Sequence, residues 1–286
     1  MTNKMTITAK RYIEIYAKSK ATENVEDILT AFLADFGCES FSEIEQFNEV
    51  YGYIPEPLFN KECFEALKEN SFFDVLEYRP VEEQNWNETW ESNYPSVTID
   101  GRCLIRAPFH APQPDMEFEI VIEPKMSFGT AHHETTSSMI SMILEEDLNG
   151  KSVLDMGAGT GVLAILAAKK GAQKITSIDC DNWSYLNHIE NNNRNEVPFI
   201  EVKLGDAQLL GTDTYDVIFA NINRNILMAD LPAYVKVLNL GGMIFLSGFY
   251  EIEDLEIIKN RCAELHLAFE KSKSKNNWVA AKFIKI

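Results

Sequence analysis

The sequence predicts an α/β protein, a doubly wound parallel sheet preceded by a small α+β unit. Three observations lead there. After Gly150, strand-like and helix-like segments alternate almost to the C-terminus. Gly157-Ala-Gly-Thr-Gly161 joins the first of these strands to the first helix, as loops do in sheets that bind nucleosides at their carboxyl edge. The tail then changes grammar, with strand patterns on either side of an Asn276-Asn277 turn that read as a closing hairpin.

In chain order, Arg11–Ala17 alternates as a strand, with Tyr12, Glu14 and Tyr16 on one side and Ile13 and Ile15 on the other. Thr22 opens a helix ending near Gly37, with the apolar stripe Val25, Ile28, Leu29, Phe32 and Leu33. A second helix spans Asn60–Glu69 and a strand Phe72–Tyr78. The segment 81–95 holds Trp86 and Trp90 one helical turn apart and reads as a linker helix. Short strands follow at Val97–Ile99, Cys103–Ile105 and Phe118–Ile122, then a helix start at 134–138.

The alternation itself runs Ser152–Met156 strand, Val162–Lys170 helix, Lys174–Asp179 strand and a helix around Trp183–Asn193. It continues with strands Phe199–Leu204 and Tyr215–Asn221, a helix Ile226–Leu238, a Gly241-Gly242 turn, strand Met243–Ser247 and a helix Asp254–Leu265. The hairpin is Leu267–Lys271 with Trp278–Ile284. The expected organisation is a small α+β unit with a binding-module layout over 1–80, a linker over 81–95 and a doubly wound α/β domain over 96–286.

Composition narrows the function classes. The chain has 286 residues, 45% of them hydrophobic, enough for a sizeable core. It has no run of eighteen apolar residues and too polar a start for a signal peptide, so neither a membrane span nor secretion is expected. Five scattered cysteines suit reduced thiols in a cytoplasm better than disulfides or a zinc site. The formal charge of −18 argues against direct binding of nucleic acid. Residues 1–94 hold 8 basic and 19 acidic side chains, so most of the charge lies in the first third, as a solvated surface or as steering for a basic partner.

The chemistry concentrates in Val153-Leu-Asp-Met-Gly157-Ala-Gly159-Thr-Gly161. The glycines let backbone approach a ligand beside a helix N-terminus. Val162 stands where a dinucleotide loop needs its third small residue, and Asp155 precedes the first glycine by two positions. A carboxylate there repels a pyrophosphate and suits a cofactor carrying an ammonium and a sulfonium, since a charge pair at about 4 Å is worth on the order of 4 kcal/mol at an effective dielectric of about 20. The bland alternative is that Asp155 caps the helix. Asp179, 22 residues after Gly157, can accept both ribose hydroxyls. Asp206 can accept an adenine amino group or merely cap a turn. Asn221 ends the fourth strand over the same crevice and can accept a hydrogen bond from a substrate amine, which makes it the candidate catalytic residue. His132-His133-Glu134 lacks metal-ligand spacing, and no metal is expected.

The segment Glu123-Pro-Lys-Met-Ser-Phe-Gly-Thr-Ala-His-His-Glu-Thr-Thr136 resembles the signature of the bacterial ribosomal protein L-eleven methyltransferase (PrmA) family. The similarity extends through the two linker tryptophans, VLDMGAGTGVLAILAAKKGA, IDCDNW, FANIN, LGGMIFLSG and Trp278, covering about residues 81–286. The resemblance implies the class I methyltransferase fold, a Rossmann-like seven-stranded sheet with a terminal antiparallel hairpin. It also implies S-adenosylmethionine as cofactor, methylation of amino groups on a basic ribosomal protein, and recognition of that protein by the N-terminal unit. By motif, Thr136, Gly157, Asp179 and Asn221 fall where that family contacts its cofactor, joined by Asp155, Gly159 and Asp206 from the loop reading. The same resemblance implies that Phe128, Gly129 and Thr130 form a loop over the cofactor. Lys125 and Ala131 stand where the family pattern has glycine, which implies a stiffer loop, and Asn223 interrupts the commoner N-I-L run. Competing readings are a class I methyltransferase for another substrate, a nucleotide-dependent dehydrogenase, and an acidic binding module that keeps the pocket only structurally.

Overall fold

The structure is a computed structural model that describes residues 11–20, 25–43, 48–81, 93–125 and 127–286. The expected linker helix with Trp86 and Trp90 lies outside the described residues. The chain divides into two compact units, Met1–Trp90 and Glu91–Ile286.

The first unit is an antiparallel sheet of four strands, β1 (Tyr12–Ser19), β2 (Ser40–Glu43), β3 (Glu49–Pro55) and β4 (Phe73–Pro80), in the order β2-β3-β1-β4. Helices α1 (Val25–Phe36) and α2 (Lys61–Lys68) join them in the split β-α-β arrangement of ferredoxin-like folds. The alternation read in β1 holds, since Ile13, Ile15 and Ala17 are buried and the residues between them are not. Asn60 caps α2 by accepting from Glu62 N and Cys63 N. In α1, Val25, Leu29 and Leu33 are buried, but Ile28 is 40% exposed and lies at the edge of the stripe. Strands β2 and β3 carry no pattern that separates them from loop, and sequence reasoning left them unassigned. Phe64 of α2 anchors this core, with its ring 5.9 Å from Phe36, 5.6 Å from Phe59 and 5.0 Å from Tyr78.

The second unit begins with a three-stranded sheet, β5 (Val97–Ile99), β6 (Cys103–Arg106) and β7 (Phe118–Val121), and helix α3 (Glu134–Leu144). Its main sheet has the order β10-β9-β8-β11-β12-β14-β13. The members are β8 (Ser152–Met156), β9 (Lys174–Asp179), β10 (Glu201–Leu204), β11 (Tyr215–Asn221), β12 (Leu238–Tyr250), β13 (Leu267–Lys275) and β14 (Trp278–Lys285). The first five in spatial order pair in parallel, and β14 runs antiparallel to both β12 and β13. Helices α4 (Val162–Lys169), α5 (Asn182–Arg194), α6 (Arg224–Val237) and α7 (Glu251–Glu264) complete the crossovers.

Both faces of the sheet are covered, which is why its strands read as apolar runs. Val153, Val217, Phe219 and Phe245 belong to one core with residues of α3 and α4, while Leu154, Ile218, Ala220 and Ile244 belong to the other with α6 and α7. The predicted Gly241-Gly242 turn is instead part of β12, where the register against β11 shifts between Tyr215 and Val217. Asn276 and Asn277 take φ of 51° and 64°, the left-handed pair that a two-residue hairpin turn needs. Among the described residues no helix is long and apolar enough to cross a membrane.

Truncating Phe64 to Ala is expected to lower the unfolding free energy of the first unit by about 3–5 kcal/mol. Urea titration of the full chain checks this as an earlier transition.

Candidate active site

The crossing point of the sheet order lies between β8 and β11, where crossovers leave to opposite sides and open a crevice at the carboxyl ends. The turn from β8 into α4 sits there. Gly157, Gly159 and Gly161 have φ of 65°, 55° and 81°, and a Cβ on each would overlap Ile222, the Phe128 carbonyl and the His188 ring respectively. Glycine is thus needed for fit to the protein itself as well as for ligand approach.

Asp179, at the end of β9, accepts from Gly159 N at 2.7 Å through one carboxylate oxygen and from Asp181 N at 2.9 Å through the other. It therefore fixes the glycine loop while staying half-buried at the crevice. Asp206 is exposed and accepts from Gln208 N at 2.9 Å, capping a short turn.

Asp155 differs from the expectation of a charged carboxylate facing the crevice. It is 1% exposed and accepts from Ala164 N in the first turn of α4, at 3.2 Å. Burial pushes its carboxyl up to about 8, with the nearby Asp179 adding to the rise. Asp155 thus sits beneath the glycine loop as a buried cap of α4, and the carboxylate that reaches the crevice is that of Asp179.

Asn221 ends β11. Its Nδ2 donates to Thr136 Oγ1 at 3.2 Å, and its Oδ1 is buried with no hydrogen-bond partner among the described residues. Thr136 is buried in the first turn of α3, which His133 caps by accepting from Thr135 N. The His133 ring lies 5.3 Å from Phe128 and 4.9 Å from Trp278, whose own ring is 4.3 Å from Tyr250. His132 turns elsewhere, to the Pro95 carbonyl at 2.9 Å and Thr130 Oγ1 at 3.0 Å. Phe128 is 52% exposed. Ala131 adopts φ of 66° with its methyl buried, a left-handed conformation that explains why glycine is usual at that position. Lys125, the other departure, pairs with Glu190.

Sequence reasoning missed the polar face of α5. Asn187 and Asn191, with Asn195 at the helix C-cap, are buried at i, i+4 spacing and grip the backbone at the end of β7 and just beyond it. Asn195 accepts from Val121 N at 2.8 Å and donates to Val121 O at 2.7 Å, and Asn191 accepts from Glu123 N at 2.9 Å. An asparagine stripe on an inward helix face was the available signal. His188 lies on this face too, fully buried against Gly161, and burial lowers its pKa to about 4.

Because the folded carboxyl of Asp155 titrates above its unfolded value, the folded state binds the extra proton. Stability from this group is full below about pH 4 and is lost as pH rises through about 8. Asp155→Asn should therefore raise the thermal midpoint relative to wild type by at least a few degrees at pH 8–9, with the difference shrinking toward pH 5. Thermal melts across this range check it.

The family model described as "Ribosomal protein L11 methyltransferase (PrmA)" matches residues 9–285. A ribosomal protein L11 methyltransferase of Phocaeicola vulgatus is 45% identical over 283 residues, covering 96% of this chain and 99% of its own. One from Porphyromonas gingivalis is 46% identical over 268 residues, covering 91% of each. The crystal structure of a ribosomal protein L11 methylase from Lactobacillus delbrueckii subsp. bulgaricus matches with a TM-score of 0.63 at 25% identity, covering 68% of this chain and all of that one. With a family match over nearly its whole length and the glycine loop, the strand-end asparagine and the sheet order in place, this chain belongs to the ribosomal protein L11 methyltransferase (PrmA) family.

Proposed function

We propose that this chain transfers methyl groups from S-adenosylmethionine to amino groups of ribosomal protein L11, on lysine side chains, the N-terminal α-amine or both. The observation that carries the amine reading is Asn221, whose unpaired Oδ1 lies buried while Nδ2 is tied to Thr136. A buried acceptor without a donor costs about 1–3 kcal/mol, and an amine N–H in the crevice relieves it.

The residues present fit the cofactor. The backbone of Gly157–Gly159 lies at the carboxyl end of β8 for its amino-acid portion, and Asp179 supplies the acceptor and the negative charge for its ribose. Asp206 offers an acceptor for adenine, and Thr136 with Phe128–Thr130 bounds the other side. Asp155 supports the pocket from beneath as the cap of α4. When bound, S-adenosylmethionine supplies an electrophilic methyl group on a sulfonium. Asn221 contributes orientation, since an amine N–H held at its Oδ1 directs the nitrogen lone pair along the displacement axis.

The nucleophile must be neutral. A lysine near pKa 10.4 costs roughly 4–5 kcal/mol to deprotonate at pH 7, against about 1 kcal/mol for an α-amine near 7.8. No described side chain in the crevice is a free base aimed at the Asn221 amide.

The first unit, with most of the negative charge, is the recognition element for the basic ribosomal protein, the segment 81–95 is the linker, and 96–286 is the catalytic domain. The −18 charge supports action on free protein without nucleic-acid contact. The five free cysteines support residence in the cytoplasm.

Incubation with methyl-labelled cofactor and unmethylated L11 should label L11 at amines, located by mass spectrometry. Label on RNA or small molecules alone overturns the reading. Asn221→Ala should lower kcat by about 100-fold with a much smaller change in cofactor affinity by calorimetry. KM for L11 should rise several-fold between low and physiological salt, as electrostatic steering by the first unit requires; a salt-independent KM removes that role.

A further inference from the structure

We infer that Thr160 is a positioning residue that latches the Phe128–Thr130 loop to the glycine loop, so that the cofactor is held by two segments moving as one. This deepens the cofactor reading above and rests on it. In the G-x-G-x-G pattern Thr160 occupies an unspecified position, where turn geometry alone asks for nothing in particular. The structure uses every polar group it has. Thr160 N donates to the Phe128 carbonyl at 2.9 Å, its Oγ1 donates to the Gly129 carbonyl at 2.7 Å, and its own carbonyl accepts from Asn191 Nδ2 at 3.0 Å.

The fit is steric as well as polar. Gly129 has φ of 108°, and a Cβ there would stand 2.7 Å from Thr160 Oγ1, so the hydroxyl reaches its acceptor only because residue 129 has no side chain. Thr160 is fully buried, and its three bonds are shielded from competing water.

Asn191 closes the arrangement from behind. Fully buried on α5, it holds Thr160 O with Nδ2 and receives Glu123 N at its Oδ1, at 2.9 Å. Arg194, one turn along, pairs with the Glu123 carboxylate at 2.6 Å. The segment leading to the Phe128–Thr130 loop is thus pinned to α5 at Glu123 and to the glycine loop at Phe128 and Gly129. On the crevice side, Asp179 holds Gly159 N, so the residue before Thr160 is fixed by the same carboxylate assigned to the ribose. Cofactor contacts on either loop are therefore coupled through one buried residue, by its main-chain amide on the Phe128 carbonyl and its hydroxyl on the Gly129 carbonyl.

Thr160→Val keeps the volume and removes the donor; Thr160→Ser keeps the donor and removes a methyl. A purely structural role makes both lose stability and neither lose affinity selectively. The latch predicts that Val weakens S-adenosylmethionine binding by about tenfold, the loss of one buried hydrogen bond, with faster dissociation. It also raises amide exchange over residues 128–131 in the ligand-free chain. Ser stays within about twofold of wild type in affinity even where its thermal midpoint falls. Calorimetry, stopped-flow dissociation and hydrogen exchange on the full chain read these effects. Wild-type affinity and exchange in Thr160→Val, or equal losses in Val and Ser, overturn the latch while leaving the cofactor reading intact. A wild-type chain that binds no S-adenosylmethionine overturns that reading and the latch with it.

Discussion

The site depends on one backbone constraint, a turn from β8 into α4 that must pass through three left-handed residues while packed against three other segments of the chain. Ile222 after β11, the Phe128 carbonyl and His188 of α5 each occupy space that a side chain on the loop would need. The three come from distant parts of the chain and are brought together by the order of the sheet. A ligand crevice is left because the crossovers diverge at that point, and its walls are set by what the glycines admit.

Around this turn the polar chemistry is arranged to hold backbone first. Asp179, Asp206, Asp155 and His133 all accept from main-chain amides. Asn221 stands apart, with a buried acceptor that nothing in the described chain satisfies. Ser127, Ser177, His188 and Asn192 also carry buried polar atoms without a partner among the described residues; Asn221 is the one of these that ends a strand at the crevice, where a ligand atom can meet it. The aromatic group of Phe128, His133, Trp278 and Tyr250 lies on the same side as α3's first turn, joining the signature segment to the C-terminal hairpin.

Much of this was legible in the sequence. The boundaries of β8, β9 and β11 follow from buried apolar runs ended by glycine or polar residues, signals that survive without tertiary context. Asn276-Asn277 was legible for the same local reason. Strands β2 and β3 were not, because Ser40–Glu43 is short and polar and Glu49–Pro55 mixes buried residues with a glycine that packs against Cys38 and Leu33. The burial of Asp155 was not legible, since spacing locates a carboxylate but says nothing of how completely it is covered. Thr160 and the asparagines of α5 escaped notice because their partners are main-chain atoms of a segment some thirty to seventy residues away.

Ala131 carries a consequence of its own. A left-handed alanine costs roughly 1–2 kcal/mol of backbone strain, offset in part by burying its methyl, at about 0.8 kcal/mol per apolar carbon. Glycine there would be at ease in many conformations. Alanine has fewer. The loop thus begins its encounter with a ligand having already surrendered most of its freedom, and little entropy is left to be lost on binding.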